Sequence, residues 1–489
     1  MGAAWSLFRA DALAPREIAP LLSPWVRVLA DCLRLFAGRE ARLGRPGERL
    51  ARVLERQGPV AIKLGQFLST RADVFGVAFA DDLSRLKDRL APFPRDTAIA
   101  EVERALDRPL QSLFATFDDS IGAASLAQVH AATLVDGRRV AVKVLRPGVE
   151  ARVAADIAAL ELVARVVEAV APAARRLEPR AFVETVARAL RLELDLRFEA
   201  AGADELRQAM GLDCFMTAPA VVWDGVARRV LTLEWVMGDP LSEATVLDRP
   251  GLDRPRLAGD LIRAFLAQAL DHGVFHADLH EGNLFVDPRG GLVAVDFGIV
   301  GRLGPGERRY LAEILWGFLK RDYARVAAVH FEAGYVSSAH DRAAFAQALR
   351  AVGEPIFGHA AADVSMNRLL TQLFEITALF EMRLRPELVL LQKTMVTVEG
   401  VARRVDPGVD IWMAAEPVVR RWITRELSPT RRVRDFGDQA LGLFARLTAL
   451  TDPGSRVEPP AKARSLDGFS FTLGILTAAF AFLAAWLAR

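Results

Sequence analysis

His276-Ala277-Asp278-Leu279-His280-Glu281-Gly282-Asn283 is the stretch on which the reading of this chain turns. It sets a carboxylate and a carboxamide five positions apart, just after Gly273 ends a helix-like pattern and just before an apolar run. An aspartate so placed can take a proton from a hydroxyl, and an asparagine oxygen can hold a hard cation. Thirteen positions beyond Asn283, Asp296-Phe297-Gly298 ends a second apolar run. The two runs, 283–286 and 292–296, flank Asp287-Pro288-Arg289-Gly290-Gly291, whose composition is that of a hairpin turn. A zinc site competes for the same residues, because His276 and His280 lie four apart beside Glu281. The break at Gly273 means the two imidazoles need not share a helical face. The nearby carboxylates are those the cation reading already uses.

Working outward, Val140-Ala141-Val142-Lys143-Val144 alternates as a strand does, and Asp136-Gly137 before it is a hairpin signal. A strand lysine, then Asp-x4-Asn, then Asp-Phe-Gly is the order of the protein-kinase site. There the lysine grips the α and β phosphates of ATP, Asp278 would serve the attacking hydroxyl, and Asn283 and Asp296 would hold Mg²⁺. The phosphate loop would precede the lysine strand, at Ile121-Gly122-Ala123-Ala124-Ser125 and on to Val129. This is not Gly-x-Gly-x-x-Gly, but its small residues let peptide N–H groups approach oxygens, in a stiffer loop than three glycines would make. Carboxylates for the lysine lie in Glu193, Asp195 and Glu199, and the 56 positions from Lys143 to Glu199 require an inserted helical segment.

Composition sharpens this. Of 63 basic residues only six are lysine, so a lysine at a motif position is less easily accidental. The net charge of +2 gives no field for nucleic acid, and none is expected as a partner. Two cysteines, Cys32 and Cys214, suit a reducing compartment. The start of the chain does not read as a secretory signal.

The expected organisation is α+β. Residues 1–115 form an N-terminal helical extension. Residues 116–238 form a kinase-like N-lobe with a helical insertion near 150–210. Residues 239–450 form a C-lobe that is helical from about 305, 451–468 a linker, and 469–488 a transmembrane helix. That last segment has twenty residues without a charge, with Trp486 near its end. Arg456, Lys462 and Arg464 precede it, which would leave the large body in the cytoplasm.

Residues from about 60 to 425 resemble the UbiB family of atypical kinases, also called the ADCK or aarF type, linked to ubiquinone biosynthesis. The matching residues are Lys63-Leu64-Gly65-Gln66, the Ala-rich loop at 122–125, Ala127-Gln128-Val129-His130 and Lys143 in its strand. Glu193-x-Asp195, Glu199, Asp278 to Asn283, and Asp296-Phe297-Gly298 complete the set. The resemblance implies a bilobal atypical-kinase fold. It pairs Lys143 with Glu199, and sets Glu193 and Asp195 against the segment carrying Lys63, Gly65 and Gln66, which would lie over the site in a regulatory role. Departures are Gly122 for the first loop alanine, Leu279 and Glu281 for prolines of the catalytic loop, Gly202 for an asparagine, and room for one C-terminal span where relatives often have two.

No Ala-Pro-Glu follows Asp296-Phe297-Gly298, and the chain enters helix after Gly304-Pro305-Gly306. The segment that shapes a peptide groove is therefore missing, which favours ATP hydrolysis or small-molecule phosphorylation over protein substrates. The expected function is a membrane-anchored atypical kinase or ATPase, with ATP and Mg²⁺ as cofactors, supporting ubiquinone biosynthesis at the bacterial inner membrane. By resemblance it would act on the hydroxylation or handling of polyprenylphenol precursors. The partners so implied are the lipid bilayer, ubiquinone-biosynthesis enzymes and isoprenoid-phenol lipids. Two alternatives stand beside it: a nucleotide-binding pseudokinase scaffold and a small-molecule phosphotransferase.

Overall fold

The computed structural model describes residues 45–57, 91–170, 179–357 and 386–426, with isolated positions between 61 and 83 and between 376 and 382. Its strands are β1 Phe114–Ala123, β2 Ala127–Leu134, β3 Arg139–Leu145, β4 Met216–Thr217, β5 Val230–Glu234, β6 Asp239–Pro240, β7 Val274–His276, β8 Leu284–Val286, β9 Leu292–Ala294 and β10 Val300–Arg302. The longer helices are α1 Pro46–Gln57, α2 Arg95–Leu106, α3 Val149–Val170, α4 Pro179–Glu193, α5 Leu196–Asp213, α6 Arg254–Ala267, α7 Pro305–Leu319, α8 Tyr323–Glu332, α9 Arg342–Phe357, α10 Pro386–Val405 and α11 Ile411–Glu426. The chain divides into two compact units. One takes the described residues up to Asp204 with Pro219–Trp235, the other Glu205–Ala218 and the described residues from Val236 onward.

In the first unit β1, β2, β3 and β5 form an antiparallel sheet in that order. The alternation of β3 decides its faces. Val140, Val142 and Val144 are fully buried in a cluster with Ala98 and Val102 of α2 and Phe114 and Phe117 of β1. The opposite side of the sheet meets a second core. There Leu145 and Leu231 pack with Val153 and Ile157 of α3, Val186 and Leu190 of α4, Leu196 of α5, and Val53 and Leu54 of α1. Each face of the sheet is thus covered by helix, which is what apolar residues on both faces demand.

The second unit contains a small sheet, β4-β9-β8-β6, in which β4 and β9 are parallel and the other pairs antiparallel, and a separate β7–β10 pair. The β8–β9 turn closes on Asp287, whose Oδ1 accepts from the N–H groups of Arg289 and Gly291 at 2.8 and 2.7 Å. Helix α6 starts on Asp253, which accepts from the Arg256 N–H at 3.0 Å, with a proline in its first turn. It runs on as a π-helical turn, Gln268–His272, that ends at Gly273 with φ +70°. A side chain at 273 would press on the Leu303 carbonyl, so glycine is needed there for space as well as for its dihedral. Trp422 of α11 donates its indole N–H to the Leu270 carbonyl, binding α11 to this turn. A third core joins Phe318, Tyr323, Val326, Phe345 and Leu349 of α7, α8 and α9.

Several expectations need adjusting. The first strand begins at Phe114, and the helical 150–210 segment consists of α3, α4 and the start of α5 among the described residues. Very short strands, β4, β6, β7 and β10, lie where periodicity indicates none. The 451–468 linker and the 469–488 transmembrane segment lie outside the described residues. Among the described residues, no helix is long and apolar enough to cross a membrane.

Candidate active site

Lys143 sits at the centre of β3, opposite Val129 of β2 and Leu231 of β5. Flanking valines hold the strand in its core, so the lysine points to the other face. Its ammonium donates to both carboxylate oxygens of Glu199, at 2.7 and 3.0 Å. The side chains are 21% and 9% exposed, so the pair is largely shielded from water. Glu199 lies in the first turn of α5, where a carboxylate also suits the helix dipole. The two residues are 56 positions apart, and the chain between them is chiefly α3 and α4.

The Ala-rich loop is the β1–β2 hairpin. Ile121, Gly122 and Ala123 finish β1, with Ile121 exposed, and Ala124 and Ser125 make the turn, closed by the Ala124 N–H on the Ala127 carbonyl at 2.8 Å. Arg146 braces it, donating to the Ala124 carbonyl at 2.9 Å and to the Ala91 carbonyl at 3.0 Å. Behind the loop, buried Gln128 exchanges hydrogen bonds with the backbone of Phe93, at 2.9 and 3.2 Å, and lies 2.8 Å from His130 Nε2. His130 Nδ1 donates to the Asp118 carbonyl, and burial holds this ring below its ordinary range, hence neutral.

Glu193 ends α4, and Asp195 stands before α5. The Asp195 carboxylate accepts from Arg197 at 2.6 and 2.8 Å, and this guanidinium holds it below the usual carboxylate range. Gly65 is helical and buried; Lys63 and Gln66 lie outside the described residues, and so does their expected contact with Glu193 and Asp195.

In the second unit Asp278 and Asn283 are linked by a closed circuit of hydrogen bonds through His276 and Val295. The Asp278 N–H donates to His276 Nδ1 at 3.1 Å, and His276 Nε2–H donates to the Val295 carbonyl at 3.1 Å. The Val295 N–H donates to the Asn283 carbonyl at 2.9 Å, and the Asn283 amide nitrogen donates back to the Asp278 carbonyl at 3.0 Å. His276 is fully buried, and burial holds its ring below the ordinary histidine range, so it serves as a neutral strut. Both its nitrogens are engaged, which removes it as a zinc ligand. Among the described residues no group of three histidine, cysteine or acidic side chains is gathered for a metal. Asn283 spends its nitrogen on Asp278, which leaves its oxygen for a cation. Asp296 has φ +59°, rare outside glycine, and lies one residue beyond the circuit. After Gly298 the chain enters β10, paired with β7, and then α7 at Pro305.

Three supports escaped sequence reasoning. Thr394 of α10 donates to the Ala277 carbonyl at 3.1 Å, Arg404 of the same helix pairs with Glu281, and His276 braces the loop as described. The first two contacts span more than a hundred positions, and nothing local announces them.

Residues 85–330 match the ABC1 atypical kinase-like domain and residues 349–410 the UbiB helical domain. A Pseudomonas paraeruginosa protein named "Probable protein kinase UbiB" is 38% identical over 91% of this chain and 86% of its own length. A Marinobacter nauticus protein of the same name is 38% identical over 86% of this chain and 76% of its own. The Mycobacterium tuberculosis protein Rv3197, solved in complex with erythromycin, has the same fold at a TM-score of 0.56 and 23% identity, over 75% of this chain and 93% of its own.

Proposed function

This chain belongs to the UbiB family of ABC1-type atypical kinases, and from that membership we propose that it binds Mg-ATP and works as a kinase or ATPase supporting ubiquinone biosynthesis. The observation that carries the nucleotide reading is the Lys143–Glu199 pair, in which a shielded carboxylate fixes the ammonium of a central strand lysine. Lys143 would take phosphate oxygens of ATP, beside the hairpin at 121–125. The Asp296 carboxylate and the Asn283 oxygen are hard donors that suit Mg²⁺, which needs little more from a protein than one or two such groups. Bound Mg-ATP supplies the transferable phosphoryl group, with the metal offsetting phosphate charge. Asp278, held by the His276 circuit, accepts the proton of an incoming hydroxyl or water.

The short passage from Gly298 to Pro305 supports a small acceptor or water over a peptide. In this reading Lys63, Gly65 and Gln66, with Glu193 and Asp195, regulate access. The uncharged segment 469–488 anchors the chain to the bacterial inner membrane with its body in the cytoplasm. There it would meet isoprenoid-phenol lipids and other biosynthetic enzymes. The test is lipid analysis of a deletion strain complemented with wild type or Asp278→Asn. Loss of ubiquinone with build-up of an early precursor, rescued by wild type and not by Asp278→Asn, is the expected result. Full rescue by Asp278→Asn would favour the scaffold reading, and absent Mg²⁺-dependent ATP binding would overturn the nucleotide reading.

A further inference from the structure

Hydrogen bonds within residues 278–283 give the catalytic loop its shape. The His280 N–H donates to the Asp278 carbonyl at 3.0 Å, the Asn283 N–H to the His280 carbonyl at 2.9 Å, and the Gly282 N–H to His280 Nδ1 at 3.0 Å. Such bonds do not fix where the loop lies, and Gly282 adds backbone freedom beside Glu281. Position comes from outside. Before Asp278 the holds are buried: Gln268 Oε1 takes the His276 N–H at 3.0 Å, and Thr394 of α10 donates to the Ala277 carbonyl at 3.1 Å. After Asp278, Arg404 of the same helix pairs with Glu281. Helix α10 therefore grips the loop on both sides of the carboxylate that the proposed chemistry uses.

The spacing of the two anchors suits this grip. Thr394 and Arg404 are ten positions apart, about 15 Å of helix. Ala277 and Glu281 are four apart, at most about 14 Å of chain. Helical side chains lean toward the N-terminus, so Arg404 reaches back over that difference. Of the two basic residues in the last turn of α10, Arg403 bonds to Glu399 at 2.8 Å, and Arg404 turns to the loop. The anchors differ in kind. Thr394 is buried, whereas the Arg404 and Glu281 side chains are 37% and 31% exposed, within reach of dissolved ions. We propose that Arg404 is a positioning residue, which with Thr394 ties the catalytic loop to α10 through an ion pair that salt loosens. Since α10 lies in the segment that matches the UbiB helical domain, that segment becomes part of the machinery setting turnover. The inference rests on the reading of Asp278 for its effect on turnover, but the tether itself needs no nucleotide.

The test uses the full chain in lipid nanodiscs, with hydrogen exchange of peptides covering 276–284 read beside Mg-ATP hydrolysis. Arg404→Gln keeps a good helix former and removes the charge. It is expected to quicken loop exchange and to lower kcat by about two- to fivefold, the range of a part-exposed ion pair, with KM for ATP little changed. Raising salt from about 0.1 to about 1 M should bring wild type toward the variant. Glu281→Pro in the Arg404→Gln background should restore both readouts. His280 before it is extended, at φ −85° and ψ 165°, as a residue preceding proline must be, and 281 opens a 3₁₀ turn, where proline fits. Should that variant fail to fold, the swapped pair Glu281→Arg with Arg404→Glu carries the rescue. Loop exchange unchanged by Arg404→Gln overturns the proposal, as does faster exchange with kcat unchanged. Exchange that responds in a chain without Mg-ATP binding upholds the tether and sinks the nucleotide reading alone.

Discussion

Asp296 combines a charge that the proposed chemistry needs with a backbone conformation, φ +59°, that most residues resist. Aspartate and asparagine tolerate this region because their short polar side chains bond locally, and Asp296 Oδ1 does accept from the Gly298 N–H at 3.3 Å. Asp296→Asn should therefore leave stability within about 0.5 kcal/mol in denaturant unfolding. The same variant should lose Mg²⁺-dependent ATP affinity by about tenfold or more, read by calorimetry with and without the metal. Asp296→Val is expected to cost a further ~1–2 kcal/mol from the dihedral alone. The identity of this residue was legible from Asp-Phe-Gly at the end of an apolar run; its strained conformation was not, since no pattern of side chains encodes it. Lys143 was legible twice over, from strand alternation and from the scarcity of lysine. His276 was read only as a possible ligand, because its partners are backbone groups brought to it by β7 and the loop beyond.

At the scale of elements, long periodic segments such as α6 and β3 were readable, whereas strands of two or three residues have no period to read. The β7–β10 pair shows what holds such a strand. Gly301 of β10 faces Phe275 of β7, and a Cβ at 301 would run into the phenyl ring. Gly301→Ala should destabilise by about 1–3 kcal/mol through overpacking. Gly400→Ala, in open space within α10, should instead stabilise by about 0.5–1 kcal/mol. Parallel urea titrations check both signs. Helix α8 carries a pH dependence. His330 is buried against Phe345, with Nδ1 on the Val326 carbonyl at 2.8 Å, and burial holds its ring below the ordinary histidine range. The unfolded chain then binds a proton near pH 6.5 that the folded chain refuses. The stability so gained is complete above that pH and drains away as pH falls from about 6.5 toward the folded value, by at most about 1.4 kcal/mol per pH unit. His330→Leu should flatten that acid limb in melts run between pH 5 and 8 without abolishing it, because buried His130 titrates in the same sense.

At the scale of the whole molecule, the division into two compact units places Lys143 and Glu199 in one, and Asp278, Asn283 and Asp296 in the other. Neither unit owns the whole motif set, so the order of motifs along the sequence carried what no single segment could. The body and the tail are distinct problems in solvation. A net charge of +2 on 489 residues gives the chain no general attraction to anionic lipid, so in the proposed reading binding at a membrane would fall to the uncharged stretch 469–488. Twenty uncharged positions, if helical and rising about 1.5 Å each, would cover about 30 Å, the thickness of a bilayer core. Ending the chain after residue 450 should therefore move it from the membrane pellet to the supernatant at physiological salt, whereas wild type should resist release by high salt. An arginine at Ala479 tests the same point without truncation, because a central arginine costs about 2.5–3.5 kcal/mol in a spanning helix. Flotation on a density gradient reads both variants. A chain ended at 450 that still floats would place the membrane contact on the body, and wild type released by high salt would make the contact electrostatic rather than hydrophobic.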